Sequence, residues 1–271
     1  MAVTAYLPIL ISAFAFLVSL GSFLLTLDAS RKKAFDDQRI MRSSLNDIIS
    51  KIFAAKIEQA KFVQINPNWM KDDLVIAVNS AYTYQLNSYA RLAVYITEKI
   101  KNLVSDVEFA TIAQTFAGTG DQVSAMQYWE AAIEQVTNKL YEVQYRRDYA
   151  SYLFNIGNIT KGRQEFQKAL DLFSDSDDIG KSQNGATYKF WGLNELRAQN
   201  KKISENYFAY AEDLFKSISR EEMKMTFLTD LAQVVAQVRE FKSSMLPGKI
   251  FDTTPTGSPL ATVPERPPAG L

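Results

Sequence analysis

The sequence predicts an all-α chain: one membrane-spanning helix at the amino terminus, then an α-solenoid of stacked helix pairs, then a disordered tail. Three observations predict it. Residues 2–27 carry no charged side chain. Residues 109–134 and 146–171 share one pattern of small, aromatic and Gly positions, offset by 37 throughout (113 to 150, 120 to 157, 129 to 166). Six of the eight prolines fall after residue 243, at 247, 255, 259, 264, 267 and 268.

Composition narrows the function classes. Net charge is zero and the pI is near 6.4, so no basic balance points to nucleic acid, and none is expected as a partner. There is neither Cys nor His. That removes disulfides, zinc thiolates, thiol nucleophiles and the commonest general base. Walker A, GxGxxG and GxSxG patterns do not occur, and the acidic run 174–178 (SDSDD) does not continue into the Gly and Glu spacing of an EF-hand. No catalytic residue, cofactor or metal is expected, and the chain does not read as an enzyme.

The apolar run 2–27 forms the anchor, within a first segment of residues 1–28. As a helix it spans about 39 Å, enough to cross ~30 Å of hydrocarbon with tilt. Fourteen of its residues are Leu, Ile, Val or Phe. It is too long for a signal-peptide core, and no Lys or Arg precedes it. Arg31, Lys32 and Lys33 follow at once, with Arg39 and Arg42 beyond. The positive-inside rule therefore puts the body in the cytoplasm of a single-pass membrane protein.

Residues 29–104 read as juxtamembrane and N-terminal helices. Leu45, Ile48, Ile49, Ile52, Phe53 and Ile57 recur at helical spacing, so 43–63 is an amphipathic helix packed on the body or continuing the anchor as a stalk. Asn66-Pro67-Asn68 is a turn. Tyr82, Tyr84, Tyr89 and Tyr95 are expected as half-buried core tyrosines.

Residues 105–242 hold the helix pairs and a closing helix. In the first pair Ile112, Ala113 and Phe116 face Ala125, Trp129 and Ala132. Gly120 supplies a left-handed helix stop and Asp121 the next N-cap. Ala150, Gly157, Asn158, Gly162, Phe166 and Ala169 repeat the plan. A third copy, offset by 42 from the second, has Trp191, Gly192, Phe208 and Ala211, with Gln199 at the turn. This pattern resembles the tetratricopeptide repeat family, over roughly residues 105–216. The closing Pro of that family is missing, with Thr137 and Ser174 in its place. The resemblance implies stacked helix pairs whose first helices line a concave groove. Here that groove would be lined by Gln114, Arg147, Ser151, Phe154, Asn155, Lys189, Leu193 and Arg197. Their positive charges imply a protein or peptide partner with an acidic segment. The family's carboxylate-clamp pattern is not reproduced.

Ser219 and Glu222 read as a capping box opening a final helix with Phe227, Leu228, Leu231, Val234, Val235 and Val238 on one face. Residues 243–271 form the Pro-rich tail. The whole reads as a membrane-anchored adaptor or scaffold at the cytoplasmic face. The alternative is a structural or assembly subunit of a membrane complex, helped by the small residues Ser19, Gly21 and Ser22 and leaving room for a homo-oligomer.

Overall fold

The computed structural model describes residues 3–66 and 72–244, with side chains for 26, 28, 30–66 and 72–237. Among the described residues every regular element is helical. They are α1 (Val3–Ile65), α2 (Asp73–Lys99), a 3-10 turn (Lys101–Leu103), α3 (Asp106–Thr119), α4 (Gln122–Gln135), α5 (Lys139–Asn155), α6 (Ile159–Leu170), α7 (Asp178–Arg197), α8 (Lys201–Lys216) and α9 (Glu221–Ser244). The chain divides into two compact units, Met1–Gln135 and Val136–Leu271. The first repeat-like pair, α3 and α4, falls in the first unit with α1 and α2.

In the first unit α1 runs unbroken for 63 residues. The expected stalk and the expected packing helix are one element. Leu45, Ile48, Ile52 and Ala55 are its buried line, while Phe53 and Ile57, expected on that line, are exposed. Spacing alone admits both, because the apolar positions span more than one face. Asp72 caps α2 by accepting from the N–H groups of Leu74 and Val75. α2 runs back along α1, with the Phe62 and Tyr82 rings 6.0 Å apart and Gln59 donating to Asn79 at 3.0 Å. Tyr82 and Tyr89 are half-buried as expected, but Tyr84 and Tyr95 face outward. Ser105 and Glu108 form a capping box at the start of α3. Arg42 of α1 donates to the same Glu108 carboxylate at 2.6 Å, tying α1 to α3.

The first pair follows the sequence plan. Gly120 ends α3 at φ +86°, and Asp121 caps α4 by accepting from Ser124 N–H at 3.1 Å. Ile112, Ala113, Phe116, Ala125, Trp129 and Ala132 are buried. Each large apolar side chain removed from water there contributes ~1.5–3 kcal/mol.

The second unit repeats it twice. Gly157 ends α5 at φ +81°, and Asn158 caps α6. Gly162 is fixed by close approach, since a Cβ there would lie 2.6 Å from the Phe154 ring. Gln199 ends α7 at φ +64°, the same left-handed turn without the Gly. A ladder of rings forms the core: Phe154 to Phe166 at 5.9 Å, Phe166 to Trp191 at 5.5 Å, Trp191 to Tyr207 at 4.4 Å. α9 covers α8 through Phe215, Ile218, Phe227 and Leu231. Its start differs from the expected capping box. The helix begins at Glu221, and Asp178 of α7 accepts from the N–H groups of Ser219 and Arg220 at 2.8 and 3.0 Å.

No helix among the described residues is long and apolar enough to cross a membrane. The side chains of the apolar run 2–27, apart from Thr26, lie outside those described, as do the turn residues 67–71 and the tail from 245.

Candidate functional site

α5 and α7 are the first helices of two successive pairs, and they lie side by side in the second unit. α7 meets α5 through Gln183, Phe190 and Asn194, which recur on one helical face. α5 answers with Arg147 and Ser151. The seam is polar. Asn194 donates from Nδ2 to Ser151 Oγ at 3.0 Å and to the Phe190 carbonyl at 2.8 Å. Its Oδ1 is buried, with no hydrogen-bond partner among the described residues.

Arg147 is buried in this seam. Its Nε donates to the Val143 carbonyl at 3.2 Å and its Nη2 to Gln183 Oε1 at 2.9 Å. Its guanidinium lies 5.7 Å from the centre of the Phe190 ring, a cation–π arrangement. Burial pushes its pKa down to about 10, against the pull of Asp148. Burial in turn pushes the Asp148 carboxyl up, opposed by a hydrogen bond from Gln144 and by Arg147. Lys189 sits 4.9 Å from the same Phe190 ring and ion-pairs with Asp230 of α9.

The expected groove residues therefore separate into three groups. Arg147 and Lys189 are brought together around Phe190 and Ser151 bonds the neighbouring Asn194, but the two cations are already engaged within the chain. Phe154 is corrected to the interior: it is buried and packs on Phe166 over Gly162, where a Cβ would meet its ring and the Ala150 carbonyl. Asn155 and Arg197 are exposed and Leu193 is half-buried; Gln114 is exposed on α3 of the first unit. Gln183, Phe190 and Asn194 were missed. The signal was present as the 183, 187, 190, 194 spacing, one residue out of register with the expected 189 and 193.

A second concavity of about 510 Å³ opens between α8 and α9, lined by Phe208, Leu228, Leu231 and Val235 with Glu212 and Lys216 also on its wall. Among the described residues no group of acidic side chains is arranged to hold a metal ion. Asp177 instead caps α7 through Gly180 N–H at 2.7 Å, and Asp175 accepts from Asn184 at 2.7 Å. In comparisons with family models, curated proteins and solved structures the chain matches none, so its family resemblance stands on the repeat residues alone.

Proposed function

We propose that the chain is a membrane-anchored helical-repeat adaptor that holds a protein or peptide partner at the cytoplasmic face. The observation that carries this reading is the α5–α7 seam. Two first helices pack side by side through amide, hydroxyl and guanidinium groups, Asn194 donating to Ser151 and Arg147 to Gln183, with Asn155 and Arg197 exposed at the ends of the two helices. The anchor reading is supported by the uncharged run 2–27, its basic flank Arg31, Lys32 and Lys33, and the continuity of α1 from Val3 through to the packed body.

The acidic preference of the partner rests on Arg197, which is exposed at the end of α7, with Asn155 exposed at the end of α5. The reading is tested with the full chain in nanodiscs and a library of acidic peptides. Binding is expected to weaken with salt and to fall on Arg197→Glu combined with Asn155→Asp, with helicity unchanged. A double variant that retains the selected peptides at full affinity moves the interface elsewhere. A stoichiometric complex with other membrane proteins, without peptide capture, favours the assembly-subunit alternative.

A further inference from the structure

We infer that the outer face of α2 is the contact surface for a second copy of this chain, the two α2 helices packing antiparallel about Ser88. From Leu74 to Ala90 this helix carries no charged residue. Its inner face, with Leu86, Ala90, Ala93 and Ile96, is buried within the first unit. Its outer face, with Ala77, Ala81, Tyr84, Ser88, Leu92 and Tyr95, recurs at three- and four-residue spacing and is exposed. Tyr84 is 74% exposed, Tyr95 60% and Leu92 49%. A helix that is apolar on both faces is stable when both are covered. Two charges border the stripe: Arg91 is held aside by Asn87 and Asp121, each at 3.1 Å, and the Lys99 ammonium lies over the Tyr95 ring, 5.7 Å from its centre.

The face is complementary to itself. Laid antiparallel about Ser88, Ala81 faces Tyr95, Tyr84 faces Leu92, and Ala77 faces Lys99. Small meets large where Ala81 and Ala77 take Tyr95 and the Lys99 stem, and Tyr84 lies against Leu92, which lets ridges of one helix enter grooves of the other at ~8–10 Å between axes. The ends bring opposite charges near each other as well: exposed Asp73 at the start of the helix comes level with Leu103 of the second copy, about one helical turn from its exposed Lys99 and two residues from its exposed Lys101. Such matching fixes register and orientation. Covering Leu74, Tyr84, Leu92 and Tyr95 in both copies removes on the order of 1,000 Å² from water, the lower bound for a specific interface. Because α2 runs back along α1, the pair sends its two amino-terminal segments in opposite directions. On the anchored reading, which this one consequence rests on, the joined copies sit in facing membranes.

The test uses the full chain in detergent, where the natural absence of Cys leaves no background. Ala77→Cys and Lys99→Cys are made singly and treated with a short bismaleimide. A mixture of the two is expected to give a cross-linked dimer, and neither variant alone to do so. In sedimentation equilibrium the wild type is expected as a dimer, with Tyr84→Glu weakening self-association at least tenfold while the helical content by circular dichroism is unchanged. Cross-linking of either variant with itself, a monomeric wild type at micromolar concentration, or a Tyr84→Glu chain as dimeric as the wild type would overturn the inference.

Discussion

Arg163 and Glu195 lock α6 to α7 through two parallel hydrogen bonds, from Nε at 2.7 Å and from Nη2 at 2.9 Å. The Glu195 side chain is wholly buried and the Arg163 side chain 26% exposed. Glu195 also accepts from Trp191 Nε1 at 3.0 Å and from Asn200 Nδ2 at 2.7 Å. Its hydrogen bond is the main reason the Arg163 pKa is raised. With the carboxylate removed, a guanidinium, an indole N–H and an amide lose their acceptor together. Glu195→Ala is therefore expected to cost roughly 3–5 kcal/mol in denaturant unfolding. Arg163→Met with Glu195→Leu is expected to cost clearly less than the two single changes added. Additive losses would mean that the pair does not act as a unit.

Gln199 ends α7 in the left-handed region where the two earlier turns use Gly120 and Gly157. A side chain in that conformation costs ~1–2 kcal/mol, part of which Gly returns through its own backbone entropy. Gln199→Gly is expected to raise stability by about 0.5–1 kcal/mol and the melting midpoint by a few degrees. Gly120→Ala is expected to lower it by about 1 kcal/mol, and purely through the backbone, because a Cβ there meets nothing within 4 Å. A loss on Gln199→Gly would show that the side chain contributes more at that turn than the strain it brings.

Trp129 is 2% exposed and lies one helical turn from both Ala125 and Ala132. Trp129→Ala is expected to cost ~3–5 kcal/mol as a large-to-small change in a packed contact. Thermal melting of the chain checks it, and an unchanged midpoint would place the indole outside the core.

The repeat geometry was legible in the sequence because it is carried by size. Ala113, Gly120, Trp129, Gly157, Phe166 and Ala169 each have a volume or backbone demand that only a few residue types meet, so their spacing announces the helix pairs. Charge was not legible in the same way. Glu108, Glu165 and Glu195 are buried by pairing with Arg42, Arg146 and Arg163 from other helices. Nothing local distinguishes them from solvated carboxylates, because the partner is fixed only once the helices are packed. The candidate seam fell between these cases. Arg147 and Ser151 were placed from the repeat pattern, but on α7 the expected face at 189 and 193 is one residue off the face at 190 and 194. A one-residue error turns a helix by about 100°, which exchanges a half-buried edge for the contact face. Arg147→Glu illustrates the consequence. At 6% exposure this reversal buries a second carboxylate beside Asp148, so it is expected to unfold the unit rather than to report on binding.

Asp178 holds the start of α9, and the Ser219 N–H, with the Arg220 N–H, keeps its carboxyl below the usual value of 3.8. A carboxyl depressed in the folded state stabilises at pH above its ordinary pKa. It loses that contribution as the pH falls through the folded value. Asp178→Asn is therefore expected to lower the melting midpoint at pH 7, with the gap from the wild type closing below about pH 3.8. A gap that persists unchanged into acid would mean that the carboxylate charge is not what anchors α9.

The reading as an adaptor displayed on the cytoplasmic face depends first on topology, and single cysteines test it directly because the chain has none of its own. Ser43 is exposed on α1, and Thr256 lies in the Pro-rich tail. A cysteine is placed at each in turn, and intact cells are treated with a thiol reagent that cannot cross the membrane. The account predicts that neither position is labelled until the membrane is permeabilised, and that both are labelled then. Labelling of both in intact cells would reverse the orientation, and purified chains lacking the first thirty residues would replace the anchor with a cleaved leader.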